Sequence, residues 1–261
     1  MEPDALLRTF DEQVRRRPRP EPEGRVERDT HVVRVVAHGA DGWNGVVWSN
    51  LDERSADASI AEQVARFARE GHPWEWKHYS YDEPADLPRR LLAAGFTPEE
   101  PEALLVAEIA SLDLGAPAPA AVTLRAATDA ADIDAVVRVH EEVFREDHSS
   151  LGTLLRAALA HTPVPVTGVL ALADGVAVAA GRVEFGEGTQ FASLWGGGTL
   201  PQWRRRGIFA ALVAFRASLA AARGFRYLQV DALPTSAPSL RRLGFVELAQ
   251  TTPYVHSGGR S

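Results

Sequence analysis

Residues Leu194–Leu212 read LWGGGTLPQWRRRGIFAAL, and the rest of the chain is organised around them. The stretch enters as an apolar strand, with Phe191, Ser193 and Trp195 on one face and Ala192 and Leu194 on the other. Three glycines, a proline, three arginines and Gly207 follow. Ile208, Leu212, Phe215 and Leu219 then recur at helical spacing, so the order is strand, loop, helix. The first N–H groups of a helix lack intrahelical acceptors and sit at the positive end of its dipole. Cations are out of place there unless an anion offsets them, and Arg204, Arg205 and Arg206 crowd this start. Arginines and a close backbone approach at glycine suit phosphate oxygens. A solvated basic turn is the competing reading. Neither G-x-x-x-x-G-K-[ST] nor G-x-G-x-x-G is present, so the stretch is not a nucleotide loop of either type.

Composition narrows the classes. Hydrophobic content of 45% and charged content of 24% are those of an ordinary soluble globular chain, and 261 residues allow one large domain or two small ones. A formal charge of −7 argues against general nucleic-acid binding while leaving room for a local basic pocket. With no cysteine, disulfides, thiolate metal sites and a cysteine nucleophile are excluded, and no G-x-S-x-G elbow offers an acyl-serine. No apolar run approaches membrane-spanning length, and residues 1–13 lack the charge and apolar regions of a leader. A cytoplasmic protein that needs no metal is expected.

Outward from the central stretch, patterning predicts a mixed α/β chain. Helices are expected over 2–17, 58–70, 87–94, 132–145, 151–160 and 238–243. Strands are expected over 32–37, 43–49, 74–79, 104–109, 122–126, 226–232 and 245–255, with a hairpin of 166–172 and 176–185 around Asp174-Gly175. Residues 112–121, LDLGAPAPAA, read as a linker. The two halves echo each other. Helix, glycine, strand, proline, short helix and Gly-Phe run from Ala58 to Gly95-Phe96 and again from Ile208 to Gly244-Phe245. Where the second copy carries its arginines, the first has Leu51–Asp57 with Asp52, Glu53 and Asp57, which would repel phosphate.

The run Thr199-x-Pro201-x-x-Arg204-x-x-Gly207-x-Phe209 resembles the acyl-CoA signature of the GCN5-related N-acetyltransferase (GNAT) superfamily, over residues 122–257 with an echo upstream. Phe209 departs from the small residue usual at the last position, although Ala210 beside it is small. The resemblance implies an α/β (α+β mixed sheet) GNAT fold in two tandem domains. Residues 1–111 would be a degenerate copy that does not bind CoA, 112–121 a linker and 122–261 the acyltransferase domain. It further implies direct transfer of an acetyl group from acetyl-CoA to an amine of a small molecule or peptide.

The roles follow from that resemblance. Thr199, Leu200, Arg204, Arg205, Arg206, Gly207, Ile208, Phe209 and Ala210 would hold the acyl-CoA, the pantetheine arm lying along Thr199 and Leu200 like an added strand. Ser236 and Ser239 would touch the same arm. Gly196–Gly198 suits a bulge that frees an N–H for the thioester oxygen, against a plain flexible strand end. Relatives often carry a strand carboxylate and a tyrosine four residues before Gly-Phe. The strand 191–200 has no carboxylate and Leu240 occupies the tyrosine position, so Glu184 and Tyr254 stand in as base and acid. An ion pair for Glu184 and a core position for Tyr254 are the bland alternatives. Trp195, Glu142 and Glu146 are candidates for the acceptor pocket, with His148 nearby. Two other readings compete: an acyl-CoA-binding sensor without turnover, and a phosphoryl-ligand enzyme unrelated to CoA. Oligomeric state, monomer or homodimer, is not legible.

Overall fold

A computed structural model describes residues 2–19, 24–37, 42–112 and 119–258. Most of the expected linker, residues 113–118, therefore lies outside the described residues. The chain forms two compact units that do not follow its two halves. One gathers Met1–Leu104 with Asp231–Thr235 and Glu247–Ser261; the other gathers Leu105–Val230 with Ser236–Val246.

The first unit begins with helix α1 (Pro3–Phe10), which runs into a π-helical turn at Asp11–Arg15. Strands β1 (Arg25–Arg28), β2 (Val32–Val36) and β3 (Gly45–Ser49) follow, then α2 (Ala56–Phe67), β4 (Trp74–Tyr79), α3 (Leu87–Ala93) and the two-residue β5 (Thr97–Pro98). β1 and β5 were not expected: RVER offers one apolar residue and no alternation, and a proline closes β5. On β4, Trp74, Trp76 and Tyr79 are buried while Glu75, Lys77 and His78 are only partly so. Both tryptophans join Phe67, Leu87, Leu91 and Phe96 in the unit's apolar core.

The second unit contains most of β6 (Glu102–Glu108), then β7 (Val122–Ala126), α4 (Ala130–Phe144) and α5 (Ser149–Leu159). The hairpin β8 (Val166–Ala173) and β9 (Val176–Phe185) precedes β10 (Phe191–Thr199) and α6 (Ile208–Ala222). β11 (Tyr227–Ala232), α7 (Ala237–Arg242) and β12 (Val246–His256) complete the chain. The order of strands across this unit is β6-β11-β10-β9-β8-β7. Asp129 starts α4 by accepting the Asp132 N–H at 2.9 Å, and Arg145 ends it in the left-handed region. One core layer, through Ile133, Val136, Val139, Leu151 and Leu155, lies under α4 and α5. Another, through Val169, Val178, Ile208 and Leu212, lies under α6.

The sequence echo has a topological counterpart. β3 and β4 pair in parallel across α2, as β10 and β11 pair in parallel across α6. The strands after the two Gly-Phe turns trade units. β12 follows Phe245 yet pairs antiparallel with β4, from Thr251 opposite Tyr79 to His256 opposite Trp74. β6 follows Phe96 yet runs beside β11, and its continuation donates the Ile109 N–H to the Arg226 carbonyl at 2.9 Å. The simple division at residues 112–121 misses this exchange.

α6 also differs from the expected stripe. Its buried residues are Ile208, Ala211, Leu212, Val213, Arg216, Ala217 and Ala220, while Phe215 and Leu219 are only partly covered. An arginine occupies the middle of the buried face.

Candidate functional site

The site is built where β10 parts from β11. Their parallel ladder runs through Phe191/Tyr227, Ala192/Leu228 and Ser193/Gln229, and no further β10–β11 pair follows among the described residues. Gln229 closes the last rung by donating from Nε2 to Ser193 Oγ at 2.7 Å. On its other side β10 stays paired with β9, but the register slips. Trp195 faces Arg182 and Gly198 faces Ala180, so Gly196 and Gly197 together oppose Gly181. This is a bulge at the expected glycines, with Gly196 at φ +57° in the left-handed region.

The glycines leave the sheet bare on both faces. A Cβ on Gly196 would come within 2.4 Å of His140 Cε1, and one on Gly198 within 2.9 Å of Val143, both from α4. A Cβ on Gly181 would come within 2.9 Å of Arg216 Nη1. One on Gly197 would meet Arg216 Nη2 and Phe209 Cε2 at 3.2 Å, both from α6. Arg216 donates from Nε to Leu212 O at 3.1 Å, and from Nη1 to Arg182 O at 3.3 Å and Trp195 O at 3.4 Å. Burial away from any carboxylate, with Arg182 adding repulsion, pulls its pKa down to about 10.

Beyond the bulge, Thr199 and Leu200 are buried, and Thr199 Oγ1 has no hydrogen-bond partner. A 3-10 turn at Pro201–Trp203 leads to Arg204, whose Nε donates to Thr199 O at 3.0 Å. Arg205 and Gly207 take left-handed φ values of 60° and 81°, turning the chain into α6. Arg204, Arg205, Arg206 and Gly207 are exposed, and Arg206 lies 4.8 Å over the Trp203 ring. Gly207 caps α6 with no side-chain bond, so the Ile208, Phe209 and Ala210 N–H groups begin a helix that supplies them no acceptor. Ile208 is buried as a core residue, with Phe209 and Ala210 half-buried. The turn that precedes α2 in the first unit is closed by a carboxylate instead, and α2 itself has no side-chain cap. Asp52 Oδ1 accepts from Arg54 N, Ser55 N and Ser55 Oγ at 3.0, 2.7 and 2.7 Å.

The other expected residues scatter. Ser236 stands at the start of α7, and Ser239 accepts from Arg242 Nη2 at 3.0 Å. Trp195 is half-buried beside the bulge, with the Arg182 guanidinium 5.7 Å over its ring. Glu142 and Glu146 are exposed. The general-base reading of Glu184 meets its bland alternative: Oε1 is held by Arg182 Nε at 2.8 Å. Tyr254 packs in the apolar core of the first unit, edge-on to His78, and burial raises its pKa. Those are the surroundings of a packed ring. Among the described residues no group of acidic, histidine or cysteine side chains is arranged to hold a metal ion.

Sequence reasoning passed over His140, which is 1% exposed against the bulge. Its rings-in-contact are Phe144 at 5.5 Å and His148 at 5.3 Å, both edge-on. Burial, with His148, Arg182 and Arg216 nearby, pushes its pKa down to about 3, against the pull of a hydrogen bond to the Gly196 backbone. The signal available was a histidine in the apolar register of Ile133, Val136 and Val139.

No protein-family model matches the chain, and no curated protein matches it. Solved structures do. A GCN5-related N-acetyltransferase from Kribbella flavida aligns with a TM-score of 0.72 at 20% identity, over 98% of this chain and 95% of that one. A tandem GNAT protein from the clavulanic acid biosynthesis pathway aligns at 0.63 and 13% identity, over 92% and 85%. A GCN5-related N-acetyltransferase from Sphaerobacter thermophilus aligns at 0.60 and 16% identity, over 99% and 86%. The chain has the fold of the GCN5-related N-acetyltransferases along nearly its whole length. Within that fold, no helix of the described residues is long and apolar enough to cross a membrane.

Proposed function

We propose that this chain is an acyl-CoA-dependent N-acyltransferase of the cytoplasm that passes an acetyl group from acetyl-CoA directly to an amine of a small molecule or peptide. One observation carries the reading: a strand that leaves its ladder at Ser193 leads, through a bulge, to a helix start bearing three exposed arginines and no cap. The residues fit an acyl-CoA. Helix N–H groups and arginines suit its phosphates, and the orphaned Thr199 Oγ1 suits an amide of its arm. The thioester supplies an activated acyl carbon. The chain's part is to hold it at the bulge, where a backbone N–H can meet the carbonyl oxygen, and to present the amine in line. Asp52 puts a carboxylate beside the first unit's helix start, where the second unit has arginines, which supports a structural role for that unit.

The test is calorimetric titration with acetyl-CoA. Wild type binds; Arg204→Ala and Gly207→Glu weaken binding at least about tenfold, about 1.4 kcal/mol. Equal affinity in all three would sink the site. The engagement of Glu184 by Arg182 favours a second reading, a sensor that binds acyl-CoA without turnover. Binding with no release of CoA across a broad amine panel would select it.

A further inference from the structure

The bulge is flanked by a group that the roles above do not use. We propose that His140 takes the proton from the attacking amine and that His148 passes it on towards solvent; this rests on the acyltransferase reading.

Position comes first. The His140 ring is pressed against the Cα of Gly196, so no side chain lies between the imidazole and the bulge. The state of the ring follows from its partners. The Gly196 backbone beside the ring opposes the fall in the histidine's pKa. Nε2 is buried and has no hydrogen-bond partner. The base role requires the tautomer with the hydrogen on Nδ1 and a bare lone pair on Nε2. A buried acceptor without a donor is uncommon, and a substrate N–H is the donor it lacks.

The charges around the ring then set what happens to a captured proton. Arg182 faces it from β9, Arg216 from α6 and His148 from the start of α5, while β10 offers only backbone. Burial first, and then the Arg182 and Arg216 guanidiniums, keep the resting ring neutral, which is the form able to accept, although Glu184 pairs with Arg182. His148 stands 5.3 Å away, half-buried, with its own Nε2 unpartnered. The second imidazole is thus the exit.

The step balances as follows. The amine nitrogen forms a bond to the thioester carbon, and the carbon–sulfur bond breaks with its electron pair going to sulfur. The amine proton moves to His140 Nε2, then through His148 to water, and the thiolate takes a proton from solvent. Amide and free thiol result.

The experiment uses the full chain, acetyl-CoA and hydroxylamine, a small amine that needs no recognition pocket, with release of thiol above the buffer rate as the signal. His140→Gln keeps a polar side chain of similar reach but no base, and should lose about 10²–10⁴-fold in rate. Its affinity for acetyl-CoA should stay within about twofold. His148→Gln should lose less and shift the pH profile, and added imidazole should restore part of the rate to His140→Ala. His140→Gln retaining a third of the wild-type rate would overturn the proposal, as would a wild type that binds acetyl-CoA yet leaves hydroxylamine at the buffer rate. Nitrogen NMR of wild type provides a readout independent of the variants' folding: Nε2 of His140 should be unprotonated from pH 5 to 8, and a protonated Nε2 refutes the assignment. A wild type that does not bind acetyl-CoA would fail earlier, at the calorimeter, and would remove the acyltransferase reading together with this one.

Discussion

The Arg216 guanidinium reaches the carbonyl of Trp195 at 3.4 Å and also that of Arg182 at 3.3 Å, tying the two strands together where their register slips. No carboxylate balances its charge, so the bond network rather than an ion pair keeps it there. Arg216→Met removes a buried charge and withdraws a donor from three carbonyls, those of Leu212, Arg182 and Trp195. These effects oppose, and the net loss should stay under about 2 kcal/mol in urea unfolding. Acyl transfer should fall much further, because the bulge loses its brace. A variant that unfolds outright would show the residue to be chiefly structural.

Gly196 and Gly207 both take left-handed backbone, but their surroundings differ. A methyl on Gly196 meets His140 at 2.4 Å, whereas one on Gly207 meets nothing within 4 Å. Gly207→Ala should therefore cost only the backbone term, about 1 kcal/mol, and Gly196→Ala that term plus overpacking, about 2–4 kcal/mol. Paired denaturation curves decide, and equal losses would contradict the packing of His140 on the bulge.

His140 is neutral in the folded chain down to about pH 3, while an unfolded histidine protonates near 6.5. Between those values the unfolded state binds the extra proton, so stability is full above about 6.5 and drains away as pH falls. From pH 7 to 5 the loss is about 2 kcal/mol from this one side chain. Melting curves across that range should fall more steeply for wild type than for His140→Gln.

Tyr254 offers a negative control. Its ring packs against the first unit's core. Tyr254→Phe should shift stability by less than about 0.5 kcal/mol and leave transfer within about twofold of wild type. A hundredfold loss of rate would return the tyrosine to the chemistry.

How far the sequence reached can be judged from these same residues. The strand–loop–helix order of Leu194–Leu212 and the glycine bulge were legible because local patterning and glycine chemistry determine both. The partners of β6 and β12 were not. Period-two burial marks a strand's faces but says nothing of which sheet edge it joins, and Thr251 and Tyr79 are far apart in the chain. His140 and Arg216 escaped for a related reason. Each occupies an apolar helical register, and only the fold brings Gly196 and Gly197 against them. Glu184 was named for its strand, but its carboxylate is held by its neighbour Arg182.

The exchange of β6 and β12 also governs the order in which the molecule can be made. During synthesis the first unit emerges without the neighbour that β4 requires, because that neighbour lies beyond Glu247. Its edge must wait, with its backbone groups unpaired, while the second half is translated. A ribosome stall or a cut after Val122 would release an unfinished sheet rather than a small working domain. The first unit's sheet is complete only once β12 has been made.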